Sequence, residues 1–265
     1  MRLFISADIE GICGIASWNE TRKEHPDYEY FRQEMSKEIA IVCSGALNCK
    51  EVDEIILRDA HGTARNIVSE MLPGKVRILR GWEGTPGPMM TGVDHCDAVM
   101  MIGYHCGAGM EGSPLAHTQN RENYQIRING EIASEFLINA FHAAYFHVPV
   151  IMISGDEGIC EEASRWIPNI GQVAVNRGTG GAVLSINPGE AGELLEKETK
   201  KALKRNREDC ILKLPERFDI EVDFLEPMKA KKGGCYPGAR QTGVRTVAYS
   251  SADYMDVLRF FLFVL

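Results

Sequence analysis

Three short polar stretches can do chemistry together: Asp8-Ile9-Glu10-Gly11, Asp59-Ala60-His61-Gly62 and Tyr104-His105-Cys106-Gly107. Each follows an apolar run that reads as a strand, so each delivers a carboxylate or an imidazole to the carboxyl end of that strand. Asp8 and Glu10 are two residues apart, which places both side chains on one side of a continuing extended backbone. Imidazole and carboxylate together, with no thiol at ligand spacing, suit zinc or manganese in a hydrolytic site better than a structural zinc cluster. A carboxylate such as Asp8 can bridge two metal ions, and ions about 3.5–4 Å apart recur in hydrolases. Asp8, Glu10, His61 and His105 are too few for two ions. Glu135 is the best further candidate, on an apolar stretch with Ile132, Phe136 and Leu137, although Glu131 is an equally good carboxylate on composition alone.

His117 lies in a loop from Gly107 to Arg121 that contains glycines and a proline and has no helical period. A long loop beside a site is often functional, and a histidine there can pass protons during amide cleavage. His25, His95, His142 and His147 have no comparable placement and read as structural. Asp156-Glu157 reads as a helix cap, Cys106 as a buried neutral thiol, and Gly178-Thr179-Gly180-Gly181 as a loop, because no GxxxxGK[ST] motif is present. The eight cysteines form no CxxC pair and sit mostly in apolar segments, so free thiols are expected.

The elements that must position these groups alternate between strand and helix. Strands are expected at Leu3–Ala7, Glu54–Arg58, Val76–Leu79, Ala98–Gly103, Val148–Ser154 and Gln172–Val175. Helices are expected at Asp27–Lys50, Arg65–Leu72, Glu131–Phe146, Glu157–Trp166 and from Asn187-Pro188 to about Arg205. Tyr124–Ile128 alternates as a strand before the Asn129-Gly130 turn. This pattern predicts an α/β fold with a mostly parallel sheet covered by helices on both faces. Beyond Pro215, Phe218–Leu225 and Val244–Tyr249 read as strands joined by a Gly/Pro-rich loop, with a helix from Ser251 onward. The expected division is an α/β catalytic domain over 1–210 and a small β-rich C-terminal subdomain with a closing helix over 211–265.

With 29 Lys plus Arg against 37 Asp plus Glu, the 265-residue chain carries a formal charge of −8. That balance argues against nucleic-acid and anionic-membrane partners, which need a basic footprint. No stretch approaches the ~20 apolar residues of a spanning helix. The start, Met1-Arg2-Leu3-Phe4-Ile5-Ser6-Ala7-Asp8, reaches an acid too soon for a signal peptide's apolar core. A cytoplasmic location is expected, with a small molecule or peptide as partner.

The ordered set Ser6-Ala7-Asp8-Ile9-Glu10-Gly11, Asp59-Ala60-His61, Gly103-Tyr104-His105, Ala116-His117-Thr118, Ile128-Asn129-Gly130-Glu131 and Gly155-Asp156 resembles the zinc D-aminopeptidase family of the bacterial dipeptide-permease operon (DppA-type). The first of these looks like that family's SxDxEG signature. The resemblance implies that Asp8 bridges two zinc ions per subunit and that Glu10, His61, His105 and Glu135 complete the ligand set. It favours Glu135 over Glu131 because Ser134-Glu135-Phe136-Leu137-Ile138-Asn139-Ala140 matches the family's ligand-bearing helix, and it places His117 at the residue proposed there as catalytic. It further implies a ring-type homo-oligomer, a decamer by resemblance, that releases N-terminal D-amino acids from short peptides. The basic loop Lys229–Lys232 and the apolar end Phe260–Leu265 depart from the family pattern. Two other readings use the same ligands: a dimetal phosphoesterase, which needs an anion-binding base such as Arg58, Arg65 or Arg121, and a non-catalytic metal-binding module.

Overall fold

The computed structural model describes residues 1–265. In chain order the first half contains β1 (Arg2–Ala7), α1 (Tyr28–Leu47), β2 (Glu54–Asp59), β3 (Val76–Leu79), β4 (Ala98–Tyr104), β5 (Asn123–Ile128), β6 (Glu131–Ile132) and α2 (Glu135–Tyr145). The second half contains β7 (Val150–Asp156), α3 (Glu157–Trp166), β8 (Gly171–Thr179), β9 (Ala182–Ser185), α4 (Pro188–Ala202), β10 (Phe218–Phe224), α5 (Pro227–Gly233), β11 (Arg240–Gln241), β12 (Thr246–Ser251) and α6 (Tyr254–Val264).

Seven strands form the main sheet in the order β3-β2-β1-β4-β7-β8-β9. All neighbours are parallel except β8 and β9, an antiparallel hairpin closed by the Gly180 turn. The mostly parallel α/β fold anticipated from the alternation is therefore present. Strands β4 and β7 are buried at every position, as expected where helices flank both faces of a parallel sheet. Helix α1 turns Phe31, Met35, Ile39, Val42 and Ala46 into the core, as its helical spacing requires. The chain moves from β1 outward through β2 and β3, then returns to β4 and continues in the other direction. That reversal leaves a crevice beyond the carboxyl ends of β1 and β4, where open α/β sheets bind ligands.

A second, antiparallel sheet runs β11-β12-β10-β5-β6. It combines β10 and β12, from the C-terminal fifty residues or so, with β5 and β6 from the middle of the chain, as in the pairing of Ile220 with Ile128. The β-rich unit thus draws strands from both sides of residue 210, whereas all the candidate site residues precede it. One apolar core of 70 buried residues spans both sheets. No helix is long and apolar enough to cross a membrane.

Three expectations need correction. The helix expected from Glu131 starts at Glu135, because Asn129 (φ 54°) and Gly130 (φ 85°) both take the left-handed turn geometry of a tight hairpin. That hairpin absorbs Glu131 and Ile132 as β6, and Ser134 then caps α2 by accepting the Leu137 N–H at 3.2 Å. The helix expected over Arg65–Leu72 is only a single 3-10 turn at Ser69–Met71. There the buried Asp59 carboxylate accepts the backbone N–H groups of Asn66 at 2.5 Å and Ile67 at 2.9 Å, taking donors a helix would need. Lys229–Lys232 lie on α5, not in a loop, with Pro227 opening its first turn.

The crevice depends on close backbone approach between β1 and β4. Asp8 N–H donates to Ile102 O and Gly11 N–H to Gly103 O, both at 2.8 Å. A Cβ on Gly11 would lie 1.8 Å from the Tyr104 carbonyl oxygen, which is backbone and cannot swing aside. Gly11→Ala is therefore expected to cost about 3 kcal/mol, the upper end for overpacking, read by urea denaturation. An unchanged unfolding midpoint would show that the two strands can separate freely at this point.

Candidate metal centre

Asp8 and Glu10 leave the end of β1, His61 follows β2, His105 follows β4, and Glu135 is the first residue of α2. The structure brings all five together with His117 from the long loop. Asp8, Glu10, His105 and Glu135 are buried, while His61 and His117 are nearly so. Asp8 divides its oxygens: Oδ1 is 3.3 Å from His61 Nδ1 and Oδ2 is 3.4 Å from His105 Nε2. Glu10 Oε2 lies 2.9 Å from His61 Nδ1, and Glu135 Oε2 lies 3.6 Å from His105 Nε2. Two overlapping groups of possible ligands result, Asp8–Glu10–His105 and His105–His117–Glu135, each with donor atoms within 4.8 Å of one another.

The imidazoles are oriented by the backbone. His61 Nε2 donates to Thr21 O at 2.8 Å, His105 Nδ1 to Cys106 O at 2.9 Å and His117 Nδ1 to Leu115 O at 3.0 Å. A carbonyl only accepts, so each ring carries its proton on the outer nitrogen and, when neutral, presents the lone pair of the other nitrogen to the centre. A metal site needs this arrangement of its histidines. Burial opposes charge on His61 and His105, but the facing carboxylates outweigh it and raise both pKa values well above the ordinary imidazole range. Burial likewise opposes charge on Asp8, and the two facing imidazoles reverse this and hold it well below the usual carboxylate range.

The donor set fits a cation. His105 Nε2 is buried without a hydrogen-bond partner, its facing carboxylate oxygens standing 3.4 and 3.6 Å away, a costly arrangement for a polar group unless something coordinates it. Three carboxylates facing three inward-aimed imidazoles are an oxygen-and-nitrogen ligand set, and no thiol joins it. All eight cysteines are free, six of them buried. Cys106 instead donates to Asp156 Oδ1 at 3.0 Å, and burial pushes its thiol pKa up.

The supporting shell includes residues whose part was not legible beforehand. Asp156 does cap α3, accepting the Ile159 N–H at 2.8 Å, and it also accepts the Cys106 N–H at 2.8 Å, which fixes the loop beside His105. Gln119 holds a left-handed backbone (φ 64°), so that its N–H reaches Glu135 Oε1 at 2.7 Å. His117 stacks face to face on His105 at 4.4 Å and meets the edge of Trp18 at 5.2 Å. Trp18 falls in a segment without periodicity, and its only sequence signal is a tryptophan shortly after Glu10-Gly11. Of the remaining histidines, His142 is buried and its pKa is lowered by that burial to about 4, in keeping with a structural role.

The main pocket, which lies over the site, has a volume of about 290 Å³ and is walled by Asp8, Glu10, His61, His117 and Glu135 together with Trp82, Met89 and Gln119. No lysine or arginine lines it. Arg58 lies fully buried beneath the Trp82 ring, 4.3 Å from its centroid. Within this pocket a phosphate ester would find no basic partner; the nearest unpaired cations stand in the adjoining cavity.

An α/β sheet that converges three imidazoles and three carboxylates on an open pocket beyond its strand ends defines the class, a metal-dependent hydrolase. The D-aminopeptidase family model (Peptidase_M55) matches residues 1–263, so the chain belongs to that family and is a metallo-aminopeptidase. A D-aminopeptidase of Bacillus subtilis (strain 168) is 29% identical over 259 residues, 97% of this chain and 93% of that one. The solved structure of the Zn-dependent D-aminopeptidase DppA from Bacillus subtilis, a self-compartmentalizing protease, is similar with a TM-score of 0.91 at 28% identity. That similarity covers 99% of this chain and 96% of the other.

Proposed function

We propose that this protein is a zinc-dependent aminopeptidase that removes N-terminal D-amino acids from short peptides. Asp8, Glu10, His61, His105 and Glu135 would hold two zinc ions, with Asp8 the ligand common to both. The observation that carries the reading is the common orientation of the imidazoles, each held by a backbone carbonyl so that its free nitrogen faces the carboxylates. Similarity to a self-compartmentalizing relative supports a ring-type homo-oligomer, of which a decamer is the specific form proposed, working in the cytoplasm.

Zinc held here would polarise the scissile carbonyl and bring the pKa of water towards about 7. The protein supplies the rest. Asp8 presents its two oxygens to two histidines, the arrangement that bridging needs. The Glu135 carboxylate is fixed by the Gln119 N–H. His117 Nε2, 3.7 Å from Glu135 Oε1, accepts a proton from the attacking water and passes it to the leaving amine as the C–N bond breaks. Stacking on His105 and contact with Trp18 restrict the ring's rotation.

Metal analysis and a panel of D- and L-dipeptides assayed on one preparation test the proposal. Two zinc equivalents and preferred cleavage of D-Ala-D-Ala are expected. Zinc-loaded protein inert towards every dipeptide but active on a generic phosphate ester would overturn it.

A further inference from the structure

A second cavity of about 230 Å³ adjoins the main pocket and shares Glu10, His61 and Gly62 with it. Its character is opposite. Arg22, Lys23 and Arg121 stand on its wall, and none of the three forms an ion pair in the folded chain. Beyond Glu10, the one carboxylate there is Glu24. Arg121 is exposed but not loose, because its guanidinium carbon lies 4.1 Å over the ring of Trp18. Stacking of this kind occupies the guanidinium face and leaves its N–H edge free for a bidentate acceptor. The same Trp18 ring meets His117 edge-on, so a single aromatic ring separates the oriented guanidinium from the proposed proton carrier.

With Asp8, Glu10 and Glu135 engaged as zinc ligands, the unsatisfied charge beside the site is the cationic wall of this second cavity. A short peptide carries the matching group, the carboxylate at its C-terminal end. We propose that Arg121, held by Trp18, receives the C-terminal carboxylate of a short peptide whose N-terminal residue occupies the main pocket. Arg22 and Lys23 reinforce the positive potential there. Because each extended residue adds roughly 3.3–3.6 Å, a guanidinium one ring away from His117 suits a carboxylate one residue past the scissile bond. Longer peptides carry theirs beyond it. Arg121 is thus a specificity-determining residue that selects dipeptides with a free acid end, an inference that rests on the aminopeptidase reading.

The test compares kcat/KM for D-Ala-D-Ala and its C-terminal amide in the zinc-loaded wild type, Arg121→Met and Arg121→Lys, with zinc content measured in each. The wild type is expected to favour the free acid by about 10- to 100-fold, the range of a charge-assisted hydrogen-bonded contact. In Arg121→Met that ratio falls to near 1 through a raised KM for the acid, with zinc content intact, and Arg121→Lys lies between. Equal use of acid and amide by the wild type, or a preference that survives in Arg121→Met, overturns the proposal. Failure of the wild type to cleave either substrate overturns the aminopeptidase reading itself, and this proposal with it.

Discussion

Asp8→Ala is expected to lose zinc and activity together, lowering kcat/KM by at least about 10³-fold while the fold survives. Asp8 faces both His61 and His105 through two different oxygens, so its removal takes a carboxylate away from both rings at once. Removing Glu10 or Glu135 leaves Asp8 to hold the other half, and partial zinc content is the expected result for those variants. The fold should persist because Asp8 Oδ1 accepts only one backbone N–H, that of its neighbour Ile9 at 2.9 Å. The hydrogen bonds joining this turn to β4 come from backbone groups that the substitution retains. Burial of the side chain makes the loss of its charge a local electrostatic change: His61 and His105 lose the carboxylate they share, and each is left facing one other, Glu10 or Glu135. Metal analysis after gel filtration, beside the unfolding midpoint and dipeptide turnover, separates these effects. A variant that keeps two zinc equivalents would remove Asp8 from the bridge, whatever its activity.

The parts of this site that follow strands were legible in the sequence, and those that depend on tertiary contact were not. Asp8, His61 and His105 could be placed because an apolar run of known polarity ends just before each, and a parallel sheet puts all such ends along one edge. Glu135 could not be separated from Glu131 by composition, because both lie within one helical turn of the other on paper. The separation is made by the left-handed pair Asn129 and Gly130, which folds Glu131 into an exposed hairpin and leaves Glu135 as the first residue of α2, pointing inward. Recognition of the whole motif set supplied the same answer from resemblance. The second sheet was only half visible: β10 and β12 alternate strongly, but their partner β5 lies about ninety residues earlier, and long-range pairing leaves no local mark. Trp18 and Gln119 were not anticipated for the same reason. One acts through a ring edge and the other through a backbone amide, and neither role follows from residue type.

His117→Ala should do the reverse of Asp8→Ala: zinc content stays at the wild-type level and turnover collapses. The loss expected from removing a positioned proton carrier is about 10²–10⁴-fold in kcat, with KM changed much less, because the ring is one of several groups lining the pocket. Geometry also permits another role. His117 Nε2 is directed at Glu135, and the two form a possible ligand group with His105, so the ring could be spent on coordination instead of proton transfer. Metal stoichiometry decides between these roles, since a ligand's removal lowers zinc content and a proton carrier's does not. The variant also leaves a ring-shaped space between the His105 face and the Trp18 edge. Free imidazole that enters this space can regain part of the lost rate by carrying the proton, and because imidazole also binds zinc, the zinc content measured without it separates the two roles. Zinc retained, kcat lost and partial rescue by imidazole together establish His117 as the acid–base residue. Zinc lost in proportion to activity would make it a sixth ligand and leave the leaving amine to be protonated by another group.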